Sequence, residues 1–345
     1  MNVVVDIYGG DYAPNEIIAG CIDAIRKYDG FDVVMVGKEE EIKSILKNYP
    51  IEDYVNRIQI VNALDVITND EVPTVAIRAK KQSSLVVALE LAKTDPQCMG
   101  LVSAGSTGAV LTGAFLKIGR IKGINRPALA PILPTIDDNK KVVLIDCGAN
   151  VDCKAHMLAQ FALMGNAYAK SMLGVESPRI GLLCNGTEDK KGNELCHEAF
   201  ALLKEMPINF VGNMEAREIL SGNYDVVVCD GFWGNVALKA IEGSVSTIMK
   251  IIKQEITSSL RSQIAGAMLK KNFKNIATKL DYTKQGGAPF LGVEKLVIKS
   301  HGNSKADSIC GSIMQVVNMY RSKLIENLKN EFNAVAQHDT TNTEI

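Results

Sequence analysis

MGLVSAGSTGAVLTGAFLK, residues 99–117, carries an apolar, strand-like run into a glycine-studded turn and on into an apolar, helix-like run. No charged residue falls between Pro96 and Leu116, a length at which a membrane span must be considered. Gly100, Gly105, Gly108 and Gly113 interrupt it, together with Ser103, Ser106, Thr107 and Thr112, a composition unsuited to a spanning helix. The stretch reads instead as a buried strand, a tight turn and a buried helix. The first N–H groups of such a helix lack intrahelical partners and favour an anion.

Outward from this unit the same grammar repeats. VVVDI, FDVVMVG, RIQIVNA, VVLIDCGAN, RIGLLCNGTE, INFVGN, YDVVVCDG and EKLVIKSHG are short β-branched runs. They alternate with longer stretches of helical period at 14–28, 75–93, 154–173, 193–204 and 304–332. Alternation of this kind predicts a mainly parallel α/β sheet. Most runs end in polar residues among glycines: Asp6 to Asp11 with Gly9 and Gly10, Ser103 to Gly108, Asp146 to Asn150 with Gly148, Asn185 to Glu188, Asp230 to Asn235 with Gly231, and His301 to Ser304. Taken singly, a polar turn with glycine is ordinary loop chemistry. Repeated at strand ends, these turns predict one rim, because ligands of open α/β sheets bind beyond the carboxyl ends of the strands.

The usual nucleotide loops do not fit. No Gly-Lys-Ser/Thr follows the 103–108 turn, and no G-x-G-x-x-G with a later acidic partner occurs there. Ser103, Ser106 and Thr107 suit a small oxyanion, which needs cationic company to be desolvated. Arg78, Lys80, Lys81, Arg120, Arg126, Lys190 and Lys191 are the available cations; Lys191, held between a polar turn and Gly192, is the preferred one, with Arg78 second.

Composition narrows the class of protein. The 345 residues, a length typical of about two domains, balance 38 basic against 39 acidic side chains, so no global field recruits nucleic acid. MNVVVDIYGGD lacks the basic start of a signal peptide, and a cytoplasmic protein is expected. Eight cysteines form no CxxC pair and no ligand spacing with the four histidines, which predicts buried thiols, no metal and no cofactor. One local asymmetry stands out: residues 250–284 carry eight basic and two acidic side chains, a net +6 in a chain of net −1. Their apolar positions mark two helical faces around a small apolar tip at Ile264, Ala265 and Met268, beside Lys270, Lys271 and Lys274. An anionic membrane surface or an acidic protein partner suits such a pair; a core or dimer helix pair with a solvated basic back suits it equally.

VDIYGGDYAPNEII, LVSAGSTGAVLTGAFLKIGRIKGINRPALAPILPT, LIDCGANVDCK, GTEDKKGNEL, INFVGNMEAREILSG, VVVCDGFWGNVALKAIEG and GGAPFLGVEKLVIKSHGNS follow one another from residue 3 to about residue 313. In that order they resemble the PlsX-type phosphate acyltransferases, which convert acyl-acyl carrier protein and inorganic phosphate into acyl phosphate for phosphatidic acid and phospholipid synthesis. The resemblance implies a three-layer α/β/α fold with a mainly parallel, mixed sheet, of the isocitrate dehydrogenase and phosphotransacetylase type. It implies one catalytic domain over 1–333, a protruding helical segment at 236–284 and a disordered tail at 334–345. Also implied are a homodimer, peripheral attachment to the cytoplasmic membrane, and a downstream glycerol-3-phosphate acyltransferase as partner. On this reading phosphate sits at Ser103, Gly105, Ser106, Thr107 and Gly108, countered by Lys191 and Arg78. Asp6, Gly9, Gly10, Asp11, Asp146, Gly148, Asp230 and Gly231 shape the site. Asn150 and Asn235 are candidate donors, and His301 is a candidate acid for the departing thiolate. The chain departs from the family pattern at Ser106, Cys184, Asn185 and Trp233. A coenzyme A-using phosphotransacetylase and a non-catalytic membrane scaffold are the rival readings.

Overall fold

The computed structural model describes residues 1–280 and 286–341. Its strands are β1 (Asn2–Asp6), β2 (Asp32–Gly37), β3 (Ile58–Asn62), β4 (Cys98–Ser103), β5 (Ala128–Leu129), β6 (Ile132–Pro134), β7 (Lys141–Ile145), β8 (Ile180–Cys184), β9 (Phe210–Glu215), β10 (Val226–Val228), β11 (Ala288–Leu291) and β12 (Leu296–Lys299). Each run named from the sequence overlaps one of them. β5, β6 and β11 are additions, all antiparallel and two to four residues long.

The expected single sheet is divided in two. β3-β2-β1-β4-β12-β11-β5 form one sheet and β6-β7-β10-β8-β9 the other. Pro131 stands between β5 and β6, and a proline contributes no N–H to a ladder. Across the break, Cys147 N–H donates to Leu129 O at 3.0 Å and Leu144 N–H to Pro131 O at 3.1 Å, so the sheets stay joined.

The helices are α1 (Asn15–Lys27), α2 (Glu39–Leu46), α3 (Pro73–Ala79), α4 (Ser84–Thr94), α5 (Thr107–Gly113), α6 (Ala155–Leu173), α7 (Glu194–Glu205), α8 (Gly231–Thr257), α9 (Leu260–Met268), α10 (Lys270–Leu280), α11 (Ala306–Arg321) and α12 (Leu324–Thr341). Apolar residues of α1, α6, α7 and α11 pack on one face of the sheets; those of α3, α4 and α5, with Leu238 of α8, pack on the other. This is the three-layer arrangement that a sheet buried on both faces requires.

Four helix boundaries differ from the sequence reading. The 75–93 stretch is two helices, because the Ser83 hydroxyl accepts from Val86 N–H and caps a new start. Likewise 304–332 breaks at Lys323, whose φ of 55° lies in the left-handed region. Asp230 to Asn235, read as a loop, opens α8 instead: the Asp230 carboxylate caps it by accepting from Trp233 N–H at 2.8 Å. Helix α12 carries the chain to Thr341, past position 334 where a tail is expected; residues 342–345 lie outside the described residues.

Candidate active site

Beside the junction of the sheets, at the carboxyl ends of their parallel strands, lies a cleft of about 540 Å³. Gly105, Ser106, Thr107 and Gly108 line one wall. Cys147, Gly148 and, from α8, Asn235 and Lys239 line another. Lys299, Ser300, His301 and Gly302 close it. Four of the six sequence-predicted rim turns therefore contribute to one cavity, the Asp230 to Asn235 turn through Asn235 in the first turns of α8. A second cavity of about 540 Å³, between α6 and α11, shares Pro131 and Gly287 with it but receives no strand-end turn.

Strand order explains the convergence. β1, β4 and β12 are adjacent and parallel, and their registers align Asp6 with Ser103 and Ser103 with Lys299. The Ser103 hydroxyl donates to the Asp6 carboxylate at 2.7 Å and accepts from Gly105 N–H at 3.1 Å. Both side chains are buried, and burial raises the Asp6 carboxyl above its usual range. Ser103 is thus consumed beneath the turn rather than offered to an anion, because a buried carboxylate needs donors. Ser106, by contrast, makes no side-chain cap bond at the start of α5 and faces the cleft. The Asp6 to Asp11 loop braces the turn from behind. A Cβ at Gly9 would lie 2.5 Å from Gly105 N, and Asp11 N–H donates to Gly302 O at 2.7 Å.

Asp146 organises the opposite wall. One oxygen accepts from Leu129 N–H at 2.9 Å and Ala149 N–H at 3.0 Å; the other accepts from Asn150 N–H at 2.7 Å and from the Asn150 amide at 2.8 Å. Burial pushes this carboxyl up to about 6, against the pull of those hydrogen bonds. The Asn150 amide also donates to Pro127 O at 2.8 Å. Its donors are spent on the protein, which removes Asn150 from the candidate donors, while Asn235 remains in the cleft wall. Gly231 packs on the Asn150 backbone, where a Cβ would meet Asn150 O at 2.7 Å.

The preferred cations lie elsewhere. Lys191 is exposed on the loop between β8 and α7, two strands away from β7 in the sheet order. Arg78 is exposed near the end of α3 opposite Pro73, the residue that approaches the turn at Gly108. Neither is in the cleft wall; Lys299 and Lys239 are. The signal for Lys299 was present in EKLVIKSHG, where one lysine closes an otherwise apolar run. Lys299 is 8 % exposed, and burial lowers its ammonium to about 8, helped by Lys239 and opposed by Asp11. His301 is exposed, and its Nδ1 accepts from Asn303 N–H at 3.3 Å.

All eight cysteines are free thiols. Cys147 lines the cleft, but burial holds it well above its ordinary range, and a protonated thiol is a poor nucleophile. Among the described residues no cluster of three or more His, Cys, Asp or Glu is placed to hold a metal ion, and no helix is long and apolar enough to cross a membrane.

The fold has solved counterparts. A phosphotransacetylase from Streptococcus pyogenes superposes with a TM-score of 0.63 at 17% identity, covering 94% of each chain. A branched-chain phosphotransacylase from Enterococcus faecalis V583 gives 0.53 at 15% identity over 92% of this chain and 98% of that one. The architecture is therefore that of the phosphotransacetylase class. At the level of sequence, residues 1–327 match the family model described as fatty acid synthesis protein. The chain is 47% identical to a phosphate acyltransferase of Clostridium novyi (strain NT), over 95% of this chain and 98% of that protein. It is 44% identical to one of Thermoanaerobacter pseudethanolicus over 97% and 98%. The chain belongs to the PlsX-type phosphate acyltransferase family and is an acyltransferase of lipid synthesis.

Proposed function

We propose that the cleft moves a fatty acyl group from acyl-acyl carrier protein to inorganic phosphate, giving acyl phosphate for phosphatidic acid and phospholipid synthesis. One observation carries the reading: the uncapped Ser106 and Thr107 turn faces Asn235 and His301 across a cavity whose cysteine is a protonated thiol. A phosphate oxygen bound at Gly105, Ser106, Thr107 and Gly108 attacks the thioester carbon directly. Asn235 donates to the developing oxyanion, an interaction worth several kcal/mol in such sites. Collapse breaks the C–S bond, and His301 gives a proton to the departing thiolate. A thiol leaving group has a pKa near 8.5, so orientation matters more than strong acid or base. Asp6, Asp146 and Asp230 hold the walls through the hydrogen bonds described above. Lys191, on the same rim outside the cavity, attracts the phosphate-bearing arm of the carrier.

Comparing acyl-carrier protein with coenzyme A as donor, at matched chain length, tests this reading. Faster transfer from the carrier is expected; equal or faster transfer from coenzyme A supports a phosphotransacetylase, and no transfer from either supports a scaffold. Ser106→Ala is expected to raise the KM for phosphate about tenfold, the value of one hydrogen bond to a charged group, and to leave the KM for thioester unchanged. Equal loss of both takes the turn out of the phosphate role.

The helical segment supports docking to an anionic membrane surface. Ile264 is 66% exposed and Met268 82% exposed at its tip, with Ala265 also exposed. Behind them, an apolar groove between α8 and α10 is edged by Lys250, Lys253, Lys270 and Lys274. Lys279 ties α10 back to the body through Ile136 O at 2.9 Å and Asp138 at 2.5 Å. A homodimer with the downstream membrane acyltransferase as neighbour completes the proposal. Replacing Lys270, Lys271 and Lys274 by glutamine is expected to weaken binding to phosphatidylserine vesicles about a hundredfold, at about 1 kcal/mol per charge. Unchanged partition in a sedimentation assay excludes the patch from this role.

A further inference from the structure

Among the described residues, Lys299 is a buried cation with no carboxylate at ion-pair distance, Asp11 acting on it only from farther off. Its Nζ donates to Ala104 O at 3.4 Å and to Ser300 O. Among the described residues no carboxylate forms an ion pair with it, although the side chain is 8 % exposed and lines the cleft. A buried ammonium left in this condition is costly, since carbonyl dipoles replace only part of its hydration. The arrangement is economical only when an anion occupies the adjoining space. Two N–H donors are committed to backbone carbonyls, which fixes the ammonium beside the 104–108 turn and leaves a third donor.

We infer that Lys299 is the principal cation for the reacting inorganic phosphate, holding it against Ser106 and Thr107 at the end of β12. This rests on the reading of the cleft as a phosphate site. Other charged groups around the ammonium fit the role. Asp6 lies one strand beyond Ser103 and is spent on the Ser103 hydroxyl. Asp11 favours the charged lysine from the β1–α1 loop, and Lys239 of α8 disfavours it. Lys239 and Glu242, both in the cleft wall, pair with each other at 2.7 Å, and His301 stands two residues on from Lys299 along the cleft. Phosphate affinity therefore falls as pH rises through about 8, where free Lys299 loses its proton.

Titration calorimetry with inorganic phosphate on the full chain reads this without turnover. Lys299→Met is expected to weaken phosphate binding about 30-fold or more, the usual cost of removing one partner of a buried charge pair, and to leave the KM for thioester within twofold. Lys299→Arg restores binding to within about tenfold and abolishes the fall above pH 8, because a guanidinium stays charged there. Wild-type phosphate affinity in Lys299→Met overturns the assignment. So does a pH fall that survives in Lys299→Arg, which decides the matter if the methionine variant does not fold. Lys299-dependent phosphate binding without acyl phosphate formation by the wild type keeps Lys299 and sinks the acyl-transfer reading. Acyl transfer with Lys299-independent phosphate binding does the reverse.

Discussion

Asp146→Ala is expected to lower the free energy of unfolding by about 4 kcal/mol, from the loss of acceptors that cost roughly 1–3 kcal/mol each when buried donors are left unpaired. Three backbone N–H groups, those of Leu129, Ala149 and Asn150, depend on this one carboxylate, as does the Asn150 amide. Water reaching the half-buried turn recovers part of the loss. The Leu129 bond matters most, since it crosses from the end of β7 to β5 at the junction of the two sheets. Asp146→Asn keeps one carbonyl acceptor but turns an NH2 toward the two Asn150 donors, so about half the effect is expected. Urea denaturation followed by circular dichroism measures both. A loss below about 1 kcal/mol in the alanine variant contradicts this role.

Gly234→Ala is expected to reduce kcat/KM at least a hundredfold. A Cβ there would stand 1.8 Å from Asp146 O and 2.7 Å from Cys229 Sγ. A backbone oxygen cannot swing aside as a flexible side chain does, so α8 must shift by more than 1 Å. That displacement carries Asn235 and Lys239 with it, since they line the cleft from the next turns of the helix. A misplacement of about 1 Å in catalytic geometry is enough to cost about a hundredfold, and overpacking adds about 1–3 kcal/mol of instability. Thiol-release kinetics, with the melting temperature recorded alongside, separate the two effects. Full activity at wild-type stability contradicts the close contact between α8 and the Asp146 turn.

Much of this architecture is legible in the chain because parallel strands buried on both faces read as unbroken apolar runs. VVVDI, GLVSAG and VVLIDCGAN announce themselves in that way. β5 and β6, at two and three residues around Pro131, are too short to carry a period. The start of α8 hides for another reason. Asp-Gly-Phe-Trp-Gly-Asn has the composition of a turn, yet Asp230 is a helix cap, and one residue type serves both structures. Which cations line the cleft is set by topology. Lys191 and Arg78 have suitable neighbours along the chain, but strand order decides which side chains meet. β12, the last of the described strands, pairs with β4 and sets Lys299 opposite Ser103. Asn150 and Ser103 have the right chemistry for ligand donors, but the buried carboxylates of Asp146 and Asp6 claim them first.

The most direct test of phosphate attacking the thioester in this cleft is a single-turnover mixture of the full chain with acyl-carrier thioester labelled in its acyl group. Thiol release, acyl phosphate and protein-bound label are followed with and without inorganic phosphate. Release of thiol only when phosphate is present, matched mole for mole by acyl phosphate and with no label left on the protein, is the predicted result. Label held covalently in the absence of phosphate, or thiol released without it, contradicts direct transfer.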